Sequence, residues 1–274
     1  MIQNNTQVLI VTHSTKSIQE QGVSDPLFYP GAPNTQLLAQ VFDNLAAMAG
    51  LTDVVVVIDH KVDCPVSTLY LENLRTFCQE RSARLVVSPA TLLMGNQLSA
   101  TAAFLRGIRA IEAEQVLFFE HDHLFLRALD WAVIERAFAS GVALLRFNEF
   151  ANQSRPESRE ILSPLPGCEG VCRTNYYCNK PFLARTDYCL RLFELAEQAV
   201  PTWNGIFGGF VEGPIGRQMM ADEFNLEPDE FLRRYPMAVY GAMGEPALIE
   251  HFGVFPGRRA RWTKRIKAWL GRAS

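Results

Sequence analysis

The chain has 274 residues, 48% of them hydrophobic, and a formal net charge of −3. That length suits one large α/β domain or two small ones, and the apolar fraction allows a substantial buried core. No run reaches the ~18 apolar residues of a membrane-crossing helix, and the start MIQNNTQVLIVTHST lacks the basic segment of a signal peptide, so a cytoplasmic location is expected.

The first half alternates short apolar runs with amphipathic stretches. Residues 7–12 (QVLIVT) predict a strand, 34–49 an amphipathic helix, and 53–58 (DVVVVI) a second strand buried on both faces. A helix near 66–81, a strand at 84–88, a helix at 97–112 and a strand at 115–120 complete a βαβαβαβ order. Right-handed crossovers wind such an order into a parallel sheet with helices on its faces. Beyond it the spacing predicts a helix near 128–139, a strand at 142–147 (VALLRF) and a long polar loop from 148 to about 170. Strands within 171–184, a helix at 185–199, a Gly-rich loop at 204–213, a short helix from 214 and a last strand near 247–251 follow.

Six cysteines, at 64, 78, 168, 172, 178 and 189, form no C-x-x-C pair and do not read as a disulfide framework. Reduced, mostly buried thiols are expected. Zinc held by Cys168, Cys172, Cys178 and Cys189 is the alternative, and their spacing fits none of the usual ligand patterns.

The chemistry-bearing motif is Glu120-His121-Asp122-His123, directly after the apolar run VLFF. Two carboxylates one residue apart, at the carboxyl end of a buried strand, repel each other unless a cation or basic partner offsets them. Ligands of open α/β sheets bind at that edge, and a hard divalent cation there can hold a diphosphate.

These segments resemble the GT-A fold glycosyltransferases, particularly the large inverting family in which a D-x-D motif after a hydrophobic strand binds metal and the sugar-nucleotide diphosphate. VVVVIDH (54–60) is similar to that family's second strand with its nucleotide-contacting acid, and VLFFEHD to its D-x-D strand, with Glu120 in place of the first Asp. The run Ala103-Phe104-Leu105-Arg106-Gly107-Ile108 keeps the spacing of the family's A-R-N-x-G-I helix but loses its Arg and Asn. FVEGPIGRQM (210–219) resembles the segment that carries the catalytic base, and His251-Phe252-Gly253 resembles a C-terminal segment whose histidine completes the metal shell. The resemblance implies a GT-A, Rossmann-like fold with a mostly parallel central sheet and helices on both faces. It implies a domain over 1–256, with a nucleotide-sugar half (about 1–123) and an acceptor half (about 124–256). Implied donor contacts are Thr12, Asp59, Arg106, Glu120 and Asp122; implied metal ligands for Mn²⁺ or Mg²⁺ are Glu120, Asp122 and His251; the implied general base is Glu212. The implied partners are a nucleotide-diphosphate sugar donor and a saccharide or lipid-linked acceptor, in surface polysaccharide or glycolipid assembly. Two alternatives stand beside this: a metal-dependent hydrolase using the histidines of the motif, and an inactive membrane-surface protein that keeps the fold. Arg258-x-x-Arg261-Trp262 is similar to the Q-x-x-R-W motif of processive synthases, but its Gln is absent and that activity is not carried over.

The last 18 residues, 257–274, hold seven Arg or Lys and no acid, which leaves −10 for residues 1–256. On a helix, Trp262, Ile266, Trp269 and Leu270 form one apolar stripe, the pattern of a segment lying on an anionic membrane. A peripheral position on the inner membrane face is the expectation. The acidic remainder speaks against nucleic acid as a partner.

Overall fold

The computed structural model describes residues 1–13, 35–91, 96–155, 160–178, 180–199 and 212–251. The basic tail, Phe252-Gly253 and the Gly-rich loop up to residue 211 lie outside them.

A 3₁₀ turn at Gln3–Asn5 leads into β1 (Thr6–His13), α1 (Gln36–Ala49), β2 (Val54–Lys61), α2 (Pro65–Glu80), β3 (Arg84–Ala90), α3 (Asn96–Ile108) and β4 (Gln115–Glu120). Next come β5 (His123–Phe125), α4 (Trp131–Ala139), β6 (Leu144–Arg146), β7 (Leu162–Pro164), β8 (Val171–Thr174) and β9 (Phe182–Arg185). The described chain closes with α5 (Thr186–Ala199), α6 (Glu212–Asn225), α7 (Pro228–Arg234), β10 (Met237–Tyr240) and β11 (Ile249–His251). Local chemistry sets several of these limits. Pro65 opens α2, where its missing N–H costs nothing. The Asp130 carboxylate caps α4 by accepting from the amides of Ala132 and Val133. Gly50, at φ 65°, ends α1 in the left-handed region that a side chain would resist.

The main sheet has the order β3-β2-β1-β4-β9-β6-β10-β8-β7. β1 pairs in parallel with β2 and β4, and β2 with β3; β9 runs antiparallel between β4 and β6; β10 is parallel to β6; β8 is antiparallel to both β10 and β7. Only β9 and β8 therefore oppose the rest, so the sheet is mostly parallel, as expected. Alternating residues feed two cores. Val8, Ile10, Val56 and Ile58 pack under α1, α2 and α4. Leu9, Val11, Val55 and Val57 pack under α3, α5, α6 and α7. Burying each such side chain stabilises by about 1.5–3 kcal/mol, which is why β2 reads as a continuous valine run.

Several expectations need correction. The strand at 142–147 shortens to the three residues of β6, because its ladders run out at prolines: Ala143 N–H donates to Pro236 beside β10 and Phe147 N–H to Pro181 beside β9, and neither proline has an N–H to give back. The polar loop after 148 contains β7. The last strand does not join the main sheet; β11 pairs antiparallel with β5, a strand too short for its periodicity to show. α7 and β10 carried no sequence assignment, although β10 is buried throughout between β6 and β8. The cysteines are free, and Cys168 lies in one core and Cys189 in the core on the opposite face, so these four thiols do not form a zinc site.

Gly107 lets α3 approach the sheet closely. A Cβ there would lie 2.7 Å from Leu9 Cδ1, 3.1 Å from Val57 Cγ1 and 3.2 Å from Leu9 Cδ2, and both side chains are fully buried. Gly107→Ala is expected to lower stability by about 1 kcal/mol, overpacking outweighing the better helix propensity of alanine. Urea unfolding checks this, and an unchanged or raised midpoint would contradict it.

Candidate functional site

Parallel register brings three strand ends together. His13 pairs with Asp59 and Val11 with Glu120, so Thr12, Asp59 and Glu120 lie at the carboxyl edge of β1, β2 and β4. The chain turns after β4, and the β5–β11 pair sets His251 directly opposite His123. Their rings stack at 4.5 Å with 4° between planes.

Asp122 bridges one nitrogen of each ring. Its Oδ1 lies 3.1 Å from His123 Nδ1 and its Oδ2 lies 2.7 Å from His251 Nε2. His123 Nδ1 is also 3.3 Å from Glu120 Oε2, while its Nε2 is 2.9 Å from Glu149 Oε1. Lys180 Nζ donates to that same Glu149 oxygen at 2.9 Å. Three carboxylates, two imidazoles and one ammonium thus share one strand edge.

Burial works against every charge here, and the partners decide the outcome. Burial would raise the Asp122 carboxyl, but hydrogen bonds from His123 and His251 hold it well below the usual range. Burial likewise opposes ionisation of Glu149, yet His123 and Lys180 hold it down at about 2. His123, fully buried, would lose its proton by desolvation alone; the bonds to Asp122 and Glu149 raise it to about 9. Glu120, with 27% of its side chain exposed, is pushed upward, first by burial and then by Asp122, against the pull of His123. At neutral pH His123 is accordingly an imidazolium that donates at both nitrogens and braces the acids.

Asp122, His123 and His251 each offer a ligand atom, all within 4.8 Å of one another. The mixed nitrogen and oxygen donors suit a divalent ion such as Mn²⁺. Both His123 nitrogens already face carboxylates, so the groups suited to touch an ion are Asp122 and the partly exposed His251, with Glu120 alongside. His123 then acts from behind, orienting Asp122.

A second group of side chains lies two strands away. Asp59, 4% exposed, accepts from Ser99 Oγ at 2.8 Å and pairs with the wholly buried Lys61 at 3.2 Å through Oδ2. Its Oδ1 is buried and finds no hydrogen-bond partner among the described residues. Such an oxygen costs about 1–3 kcal/mol unless something donates to it. Thr12 is fully buried, with its hydroxyl 2.8 Å from that of Tyr70, so its side chain faces the helix layer.

Arg106 is exposed beside edge strand β3, its guanidinium 3.4 Å from the Val87 carbonyl. Glu212 is the first residue of α6, and its side chain is outside the described structure. His121 turns toward the Val11 carbonyl at 3.2 Å. Sequence reasoning missed Glu149, Lys180, Lys61 and Ser99. Glu149 follows a predicted strand just as Asp122 does, so the same strand-end rule reaches it; nothing in the local pattern marks the other three.

No family model and no curated protein matches the chain. Among solved structures, a mannose-1-phosphate geranyltransferase from Thermus thermophilus is 14% identical, with 90% of this chain and 76% of that one covered at a TM-score of 0.44. TarS of S. aureus is 11% identical at a TM-score of 0.46; 88% of this chain is covered, and it spans only 36% of that protein. A Bacillus anthracis protein described as a glucose-1-phosphate thymidylyltransferase is 11% identical, with 93% of each chain covered at a TM-score of 0.49. In its own strand order the chain is a mixed α/β fold with a mostly parallel central sheet, and acids stand at the carboxyl ends of β2 and β4 on either side of β1.

Asp122→Asn is expected to weaken Mn²⁺ binding at least ~10-fold, the scale seen when a ligand or its orienting partner is lost, while Arg106→Ala leaves it unchanged. Isothermal titration of the two variants makes the comparison. Equal affinity in Asp122→Asn and the unaltered protein would remove the metal site.

Proposed function

We propose that the protein transfers a sugar from a nucleotide-diphosphate donor to an acceptor hydroxyl. The observation that carries this reading is the pairing, on one sheet edge, of a buried carboxylate oxygen without a partner at Asp59 and the Asp122–His251 cluster two strands away. Asp59 Oδ1 suits an N–H donor such as that of a nucleobase. Ser99 and Lys61 hold the other oxygen and so fix the carboxylate's direction. A Mn²⁺ or Mg²⁺ ion held by Asp122 and His251, with Glu120 beside them, would neutralise the diphosphate that departs. His251 and His123, the latter held in turn by Glu149, keep Asp122 ionised and oriented.

Glu212 is the proposed base, taking the proton of the acceptor hydroxyl as it attacks the anomeric carbon, with inversion. The resemblance of residues 210–219 supports that role. The acceptor is a saccharide or lipid-linked molecule of surface polysaccharide or glycolipid assembly, reached at a membrane surface through residues 257–274. No described helix is long and apolar enough to cross a membrane. The hydrolase alternative needs more histidine ligands, and His60, with Nδ1 3.1 Å from Ser67 Oγ, and His121 are directed elsewhere.

A thermal-shift screen of nucleotide sugars with and without Mn²⁺ tests the donor reading. The right donor at ~100-fold its Kd should stabilise by about 2.7 kcal/mol, and no shift with any of them would sink the proposal. In the same screen Glu212→Gln should keep the donor-induced shift and lose turnover; retained turnover would reject it as the base. Sedimentation with anionic phosphatidylglycerol vesicles should recover the full chain but not a chain lacking 257–274, and equal recovery would exclude the tail as the anchor.

A further inference from the structure

Lys180 is a cation for which neither the strand-end motif nor the metal site accounts. β9 runs antiparallel between β4 and β6, with Phe182 in register with Phe118 on one side and Arg146 on the other. Carrying that register two residues further places Lys180 beside Glu120 and beside residue 148. The electrostatics agree: Glu120 and Lys180 each feel the other's charge. The ammonium bonds Glu149 Oε1 at 2.9 Å, and one-third of the side chain remains exposed.

Among the described residues, the other cations near this edge are already paired. Lys61 has no exposed surface and is held by Asp59 and Ser99. Arg146, 2% exposed, binds Glu160. Arg127 pairs with Glu245. Lys180 keeps three donor hydrogens on a flexible stem, and only one is directed at Glu149. It stands three strand spacings from Asp59, about 14 Å along the edge, with Glu120 and Asp122 between.

We propose that Lys180 binds the phosphate groups of a nucleoside diphosphate, on the side of the carboxylate cluster away from Asp59. This rests on the nucleotide reading above and extends it: the base lies at β2, the phosphates cross β1 and β4, and Lys180 closes the far end. Glu149 holds the ammonium in place and partly neutralises it when no anion is there. An ammonium suits this task as a point charge that can follow a phosphate oxygen.

The test is calorimetric titration, at fixed salt and saturating Mn²⁺, of UDP, GDP, ADP and dTDP, of their nucleosides, and of inorganic pyrophosphate. Lys180→Met should bind the preferred nucleoside as the unaltered protein does, and lose about 10- to 100-fold in affinity for its diphosphate, the worth of a charge-assisted bond. Lys180→Arg should recover most of that loss. Equal diphosphate affinity in Lys180→Met overturns the proposal, and so does a matching loss for the nucleoside, which marks a structural defect. If the unaltered protein binds none of the four diphosphates, the nucleotide reading fails. Binding of pyrophosphate that still depends on Lys180 would then leave the anion role standing without it, and its absence would remove both.

Discussion

Three carboxylates converge on one buried ring, and that convergence governs the candidate site. Glu120, Asp122 and Glu149 would repel one another at this range, and each pays for desolvation. His123 answers both problems by donating to Asp122 and Glu149 from its two nitrogens while facing Glu120. Removing one member of a buried charge pair typically costs about 3–5 kcal/mol, so the brace is as much a folding constraint as a chemical one. It explains why β5 and β11, only three residues each, are worth forming: their pairing stacks His251 on His123 and completes the coordination of Asp122.

The sheet supplies the second constraint. A parallel sheet ends all its strands at one edge, so acids that follow β2 and β4 meet across β1 with no special loop. The antiparallel β9 breaks this rule usefully. It begins where its neighbours end and therefore delivers Lys180, which precedes the strand, to an edge otherwise built from residues after strands. One reversed strand places a positive charge among negative ones.

Much of the fold was legible because burial writes a pattern. The continuous apolar runs of β1 and β2 report two covered faces, and the helices between them carry the matching stripes. The elements that escaped are those whose burial is decided by distant chain. β10 has four residues, follows Pro236 and a short helix, and becomes a central strand only because β6 and β8 flank it. The strand predicted at 142–147 contracts because the neighbouring chain meets it with Pro236 and Pro181, which accept from its flanking amides but have no N–H to return. The four cysteines from 168 to 189 lie close in sequence without a ligand spacing, and the sheet separates Cys168 from Cys189 onto opposite faces.

By itself the sequence determined that two short apolar runs stop at acids, Asp59 and Glu120, because a buried apolar run ends where unpaired carboxylates begin. The resemblance of its motifs implied Asp122 and His251 as metal ligands, and the structure places their side chains 2.7 Å apart. Only the tertiary structure decided that His123 braces Asp122 and that Glu149 and Lys180 lie against it, with Arg106 exposed beside edge strand β3. Those roles depend on register between strands far apart in the chain, and a hydrogen bond to a buried charge has a range of about 3 Å, which no local pattern encodes.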